Sequence, residues 1–350
     1  MYLPSPTYSF TVPSLHDETQ LDCRLYLPSA SLQPETTTSI RGALVAHPYA
    51  PLGGCYDDPV VSFIGGELLK NGYIVGTFNF RGAGGSEGRT SWTAKPELAD
   101  YVSLYGFMLC YLHSLRSQIA SQRGHRKIPD EGTPSHDQGS NAQSTPGPAN
   151  IHLILGGYSY GSLIASHLPS FDVVAGLFNN IISDTPPHEI LQIAEKVSAL
   201  CDVHGSTREP QSTTSTGNLE DQAMEETLDI SRTTISYLLV SPLLPPLNLF
   251  LTLFSTMSLD LRAHPPAPRR QIPCTQPARQ LCAHPSLALW GDQDAFTSAS
   301  RLNKWADELS QVPGSRFQSV EIEGAGHFWR EDGAESQARD ALKNWMRLIP

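Results

Sequence analysis

The sequence predicts an α/β fold in which a mostly parallel central sheet is flanked by helices, and three observations carry that expectation. Short apolar runs, Ala43-Leu44-Val45-Ala46, Tyr73 to Phe80, Ile151 to Leu155, Tyr237 to Ser241 and Leu287 to Trp290, have the length and two-sided apolarity of strands buried on both faces. Segments with apolar residues at helical spacing lie between several of them, as in strand–helix–strand units. One turn, Leu155-Gly156-Gly157-Tyr158-Ser159-Tyr160-Gly161-Ser162, joins an apolar run directly to a helix-like one and sets a serine between two glycines.

Taken in order, residues 8 to 28 alternate between apolar and polar and predict an opening antiparallel pair, followed by a Ser/Thr-rich connection before Gly42. Ala43 to Ala46 is the first parallel strand. A helix from Pro59 to Asn71 carries Val60, Phe63, Ile64 and Leu68 on one face, Gly72 caps its end, and Tyr73 to Phe80 closes the unit. The next turn, Gly82 to Glu87, lacks the third glycine of a dinucleotide fingerprint and is a turn, not a cofactor site. From Glu97 to Ser117, Tyr101, Leu104, Tyr105, Met108, Leu112 and Leu115 share one helical face, expected to pack beneath the strand that precedes Ser159. After the serine, Leu163, Ile164, His167 and Leu168 continue at helical spacing until Pro169 stops the helix. Pro187 to Leu200 is amphipathic, and Leu247 to Phe254 reads as a helix within a segment, 243–262, expected to form a small lid or the wall of an acyl pocket. Val320 and Ile322 mark a final strand, and Ala338, Ala341, Leu342 and Trp345 the buried face of a last helix, Ala334 to Leu348. Three stretches at about 120–149, 204–231 and 263–280 bury too little to offset the entropy of ordering, so they are expected as flexible insertions in one domain spanning 1–350.

A serine that projects its Oγ from the top of a sheet sits on a tight strand-to-helix turn, where side chains two residues either side would collide. Gly157 and Gly161 relieve that crowding. The hydroxyl is a poor nucleophile until a base takes its proton, so Ser159 requires a histidine and a carboxylate to orient it. The apolar run ending at Trp290 delivers Gly291-Asp292-Gln293-Asp294, and the last strand runs into Gly324-Ala325-Gly326-His327-Phe328. Ser159, an acid of the first loop and His327 thus form a candidate catalytic triad in chain order. Asp184 is a weaker alternative, because the strand that follows the serine turn falls at Tyr237, beyond it. His47, at the end of its strand, reads as a loop-ordering residue. Pro48 has no N–H, so an oxyanion donor from this loop has to come from Tyr49 or Ala50, and the second donor is the N–H of Tyr160, the residue after Ser159.

On these residues the chain resembles the small serine hydrolases of the α/β-hydrolase superfamily. His47-Pro48-Tyr49-Ala50-Pro51-Leu52-Gly53-Gly54 is similar to the HPHP-x-x-GG loop of a group of uncharacterised bacterial and fungal hydrolases, and Phe78-Asn79-Phe80-Arg81-Gly82-Ala83-Gly84-Gly85-Ser86-Glu87-Gly88 to their FNFRG-x-G-x-S-x-G turn. The resemblance, in blocks from about residue 43 to 345, implies the α/β-hydrolase fold and a triad acid that stands last in its loop. That makes Asp294 the acid and leaves Asp292 as a turn residue bonded to its own loop backbone. It also puts Tyr49 and Tyr160 at the oxyanion hole. Tyr49 stands where the group carries its second loop histidine, so the substrate class does not transfer with the fold.

Composition narrows the rest. The 350 residues carry a net charge of −11 with no run of lysines and arginines, which argues against a nucleic-acid partner. The start, Met1-Tyr2-Leu3-Pro4-Ser5-Pro6, has neither a basic region nor an apolar core, so no signal peptide is expected. The six cysteines, Cys55 near the oxyanion loop included, show no C-x-x-C or zinc-ligand spacing, and a reduced, cytoplasmic protein is the expectation. Prolines at 242, 245 and 246 interrupt the leucine-rich run from Ile235 to Phe254, which excludes an unbroken membrane span there. The expected activity is hydrolysis of small-molecule carboxylic esters or thioesters through an acyl-enzyme, with no metal or organic cofactor. The alternatives are a peptidase or amidase of the same fold, a non-hydrolytic biosynthetic protein that uses the same pocket, and an interaction protein acting through its polar loops. Serine at the elbow, in place of aspartate or cysteine, argues against haloalkane, epoxide and dienelactone chemistry.

Overall fold

The computed structural model describes residues 1–29, 38–125, 149–179, 181–201, 228, 230–252, 256–261 and 270–350. Its main sheet contains β1 (Tyr8–Pro13), β2 (Gln20–Tyr26), β3 (Ser39–Ala46), β4 (Ile74–Phe78), β5 (Asn150–Tyr158), β6 (Thr233–Val240), β9 (Ser286–Gln293) and β10 (Phe317–Gly326). Their spatial order is β1-β2-β4-β3-β5-β6-β9-β10. The pairs of β1 with β2 and of β2 with β4 are antiparallel and the other five are parallel. The chain lays β4 on one side of β3 and then crosses to β5 on the other, so the strand order reverses between them. A crevice at such a reversal, outside the carboxyl ends of the strands, is where ligands bind in open α/β sheets. This is the α/β-hydrolase fold, with the serine turn leaving the central strand β5.

The central strands are buried almost end to end because helices cover both faces. On one face lie α1 (Pro59–Lys70) and α9 (Ala334–Met346), which pack Phe63, Ile64, Leu68, Leu342 and Trp345 against the sheet. The start of α1 is set by Asp58, whose carboxylate accepts the Val60 N–H at 2.8 Å, and by Pro59 at the first helical position. The other face carries α2 (Lys95–His125), α3 (Tyr160–Ser166), α4 (Phe171–Leu177), α5 (Pro186–Ala199), α7 (Pro277–Ala283) and α8 (Ala299–Ser310). Between β6 and α7 come α6 (Leu247–Leu251) and a small antiparallel pair, β7 (Ser258–Leu261) with β8 (Arg270–Pro273).

Several expectations need correcting. The helix expected to bury one face at 97–117 begins at Lys95, runs to His125, and has every residue from Glu97 to His113 buried. The reason is position: α5 and β7 pack over the side of α2 that faces away from the sheet. Residues 120–125 of the first expected insertion are therefore helical, while 126–148 lie outside the described residues. In the second insertion, 204–227 and 229 lie outside them, and Ile230–Arg232 forms a 3-10 turn that leads into β6. Of the third, 263–269 lie outside the described residues, and its later part forms β8 and the start of α7. There, buried Gln280 accepts the Tyr237 hydroxyl at 3.0 Å and donates to the Leu168 carbonyl at 2.6 Å. Of the expected lid segment, 253–255 and 262 are not described. Its later part is β7, whose Leu259 is fully buried and whose Asp260 meets Lys95 at 3.7 Å and, through its carbonyl, His16 at 2.9 Å. That strand is a brace on the start of α2.

Behind the crevice lies a buried charge network absent from the sequence reading. Arg81, just past β4, binds Asp100 of α2 with two donors, Nε at 2.9 Å and Nη2 at 2.7 Å, and also reaches Asp17 at 3.0 Å and Ser14 at 3.0 Å. Asp100 is fully buried and takes a further bond from Ser14 at 2.6 Å. Burial pushes the Asp17 carboxyl up, but the Arg81 hydrogen bonds outweigh it and hold the group down at about 2. Its contribution to stability is therefore present above the ordinary aspartate range and lost as pH falls through about 2.

Two predictions follow from this framework. Arg81→Met leaves the Asp100 carboxylate buried without its partner and should cost about 3–5 kcal/mol of stability in urea unfolding. His47, buried and neutral, has its pKa pushed down to about 4 by desolvation. Between about pH 6.5 and 4 the unfolded chain takes up a proton that the folded chain refuses, so stability falls as pH falls through that window. His47→Gln should remove this component, gaining up to about 3 kcal/mol on wild type at pH 4 relative to pH 7 in urea midpoints measured across the range.

Candidate active site

Ser159 closes β5 and opens α3 with φ 55° and ψ −113°, a conformation that costs a non-glycine residue about 1–3 kcal/mol. The surroundings impose it. The Ser159 N–H donates to the Val240 carbonyl at 2.8 Å, which ties the turn to β6. A Cβ on Gly157 would overlap the Gly161 backbone, and one on Gly161 would overlap the carbonyls of Ala46 and His47 at the end of β3. Both flanking positions therefore require glycine for close approach.

The structure brings Ser159, His327 and Asp294 together from the ends of β5, β10 and β9. Ser159 Oγ stands 2.9 Å from His327 Nε2, and His327 Nδ1 stands 2.7 Å from Asp294 Oδ2. The other Asp294 oxygen accepts the N–H groups of Phe296 at 2.8 Å and Thr297 at 3.1 Å. Burial works to raise the Asp294 pKa, but the hydrogen bonds and charge of His327, with those two N–H groups, hold it below its ordinary value. The three residues are 7%, 6% and 4% exposed for Ser159, Asp294 and His327, so they form a nearly dry hydrogen-bonded chain that opens at the serine. The imidazole is placed from behind as well: Tyr158 Oη donates to the His327 carbonyl at 2.8 Å.

The rejected acids lie elsewhere. Asp184 is exposed in the loop between α4 and α5. Asp292 is not bonded to its own loop as expected; its Oδ1 accepts the Gly324 N–H at 2.8 Å across to the end of β10, where the register of the two strands shifts. It thereby ties together the two loops that carry the acid and the histidine. A second histidine–serine contact, His152 Nε2 to Ser236 Oγ at 2.9 Å, lies inside the sheet between β5 and β6, with the Tyr73 hydroxyl 3.3 Å from its Nδ1. Burial pushes this imidazole down to about 4 against a backbone hydrogen bond to Pro350 that works to raise it, and the side-chain partners of its ring are two hydroxyls, those of Ser236 and Tyr73. It is a polar pair satisfied within the core.

His47 orders two loops at once. Its Nδ1–H donates to the Pro48 carbonyl at 2.6 Å while Nε2 accepts the Phe80 N–H at 2.9 Å, which joins the loop after β3 to the loop after β4. The neutral tautomer this requires agrees with its depressed pKa. Tyr49 follows, and its ring meets the ring of Tyr160 edge-on at 5.1 Å. The two residues expected to offer oxyanion donors are thus pinned side by side. Tyr160 is the first residue of α3, where backbone N–H groups have no intrahelical acceptor.

Two residues without a role in the sequence reading complete the surroundings. The Phe296 ring lies 4.1 Å from the His327 ring at 30°, and the Phe328 ring 5.5 Å from it at 88°. The sequence signal was their adjacency to the acid and the base, Asp294-Ala295-Phe296 and His327-Phe328. Among the described residues no group of three or more His, Cys, Asp or Glu side chains is arranged to hold a metal ion, and no helix is long and apolar enough to cross a membrane.

No protein-family model matches the chain, and no curated protein matches it. Solved structures do. An α/β serine hydrolase homologue from Coxiella burnetii is 15% identical, with 97% of this chain and 98% of that chain covered and a TM-score of 0.46. A member of the α/β serine hydrolases without a lid from Xanthomonas campestris is 16% identical over 100% of this chain and 98% of that one, with a TM-score of 0.47. Est1E from Butyrivibrio proteoclasticus, with ferulic acid bound, is 12% identical over 97% of this chain and 98% of that one, with a TM-score of 0.47.

Tyr158→Phe tests the support behind His327. Losing the hydroxyl leaves the buried His327 carbonyl unpaired, at a cost of about 1–3 kcal/mol in urea unfolding. If Tyr158 positions the imidazole, covalent labelling of Ser159 by a fluorophosphonate should also slow by about tenfold at a temperature where the variant is fully folded.

Proposed function

We propose that this chain is a serine hydrolase of carboxylic esters or thioesters acting through an acyl-enzyme. The observation that carries the reading is the unbroken hydrogen-bond chain from Ser159 Oγ through His327 to Asp294, at 2.9 and 2.7 Å. Ser159 gives its proton to His327 Nε2 as Oγ bonds to the substrate carbonyl carbon. Asp294 holds the Nδ1–H and stabilises the imidazolium that forms. The negative oxygen is received by the N–H groups of Tyr49 and Tyr160, each such donor being worth about 3 kcal/mol in the transition state. The carbonyl carbon then loses its bond to the leaving oxygen or sulfur, which takes the proton from His327. Water repeats the sequence: it yields a proton to His327, bonds to the acyl carbon, and Ser159 Oγ departs with that proton. One water is consumed and one acid and one alcohol or thiol are released.

The chemistry runs on side chains and backbone N–H groups and calls for no metal or organic cofactor. A small-molecule substrate and a reducing, cytoplasmic setting accord with a buried triad and with six cysteines that are all unpaired. The test is labelling of the purified protein by a fluorophosphonate probe, followed by an ester, thioester and peptide panel. Wild type should label. Ser159→Ala should not label at all, and His327→Ala and Asp294→Asn should label slower by about 10³–10⁴-fold. A folded wild-type protein that stays unlabelled would sink the proposal, and turnover of peptides in place of esters would move it to the amidases of this fold.

A further inference from the structure

We propose that Phe296 and Phe328 form a leaving-group subsite that selects esters or thioesters of planar aromatic alcohols or thiols, an inference that rests on the acyl-enzyme reading above. In the acylation step the bond from the acyl carbon to the leaving oxygen or sulfur breaks while His327 Nε2 delivers its proton to that atom. The leaving atom has to stand within hydrogen-bond reach of Nε2, about 3 Å. Its substituent then lies against whatever flanks the imidazole.

What flanks it is aromatic and open. Phe296 lies close to parallel with the imidazole at 4.1 Å and Phe328 stands edge-on to it at 5.5 Å, while the two phenyl rings meet at 5.7 Å and 84°. The three rings form a corner with one flat wall and one upright wall, the two geometries in which an aromatic guest pairs favourably. Both phenyl rings keep surface to spare: Phe296 is 36% exposed and Phe328 55%, against single figures for the triad they touch. Core packing therefore does not account for them. Phe296 is held in place by the triad itself, since its N–H donates to Asp294 Oδ1 at 2.8 Å. An aryl group bonded to the leaving atom fits this corner by shape and by ring chemistry, and a compact alkyl group leaves both walls uncovered.

The experiment compares kcat/KM for phenyl acetate with that for a fluoroalkyl acetate whose alcohol is of similar acidity, so that acyl group and leaving-group reactivity are held constant. Wild type should favour the aryl ester by about tenfold, each of Phe296→Ala and Phe328→Ala should cut that ratio by about threefold, and the double variant should bring it near one. Because Phe296 stacks on His327, its loss also lowers both rates, and the ratio is the quantity that reports the subsite. A ratio that survives both substitutions would mean that the rings only pack the histidine, and a ratio near one in wild type would likewise overturn the proposal. Fluorophosphonate labelling is run on the same samples, since its leaving group is fluoride, too small to reach the rings. Labelled wild type with a flat ratio rejects the subsite alone. Folded wild type that does not label rejects the acyl-enzyme reading and the subsite with it.

Discussion

The whole arrangement depends on how closely the turn after β5 passes the end of β3. Ser159 sits at φ 55° because the chain has to reverse from strand to helix within a few residues, and the turn fits only because the positions two before and two after it have no Cβ. The strain of about 1–3 kcal/mol is held by the pairing of β5 with β3 and β6 on its two sides and by the Ser159 N–H on Val240. From that one close approach follow the outward position of Oγ, the place of the Tyr160 N–H at the start of α3, where it has no intrahelical acceptor, and the contact of the Tyr160 ring with Tyr49 on the neighbouring loop.

Burial treats ionisable groups around this turn in two ways, and the number of hydrogen bonds decides which. Arg81 stays charged in the interior because its guanidinium fork meets the Asp100 carboxylate twice and Ser14 and Asp17 accept its further donors. His47 has two neutral partners, a carbonyl and an N–H, so desolvation wins and the ring stays uncharged. Both devices serve the same loops. Arg81 anchors the segment after β4 to α2, and His47 anchors it to the segment after β3 that carries Tyr49. His327 is fixed likewise from several elements, by Asp294 on one ring nitrogen, by Tyr158 on its carbonyl and by Phe296 on its face.

Much of the fold was legible because strands buried on both faces and the serine turn leave local signatures. The runs at Ala43 to Ala46 and Ile151 to Leu155 lie inside β3 and β5, and the run at Leu287 to Trp290 lies inside β9. Other elements leave weaker ones. The stripe of Leu302, Ala306 and Leu309 that buries α8 is interrupted by charged and polar residues, and β7 and β8 are strands of only four residues, the second ending in a proline. The helix at α2 showed its period but not its all-round burial, since periodicity reports a contrast between faces and the covering elements come from α5 and β7, far along the chain.

The sequence by itself determined the strand–helix alternation, the glycines that the turn at Ser159 demands, and the residue types and chain order of a serine, an acid and a histidine at three strand ends. These are local steric and chemical requirements, readable within a few residues of each site. Tertiary structure alone decided that Asp294 and not Asp292 meets His327, that Asp292 instead bridges to Gly324, that Arg81 is a buried anchor, and that Phe296 and Phe328 wall the imidazole. Apart from Phe328, which adjoins His327, each of those is a contact between residues 19 to 33 positions apart. They are set by the register of β9 against β10 and the reversal of strand order beside β3, which no local pattern encodes.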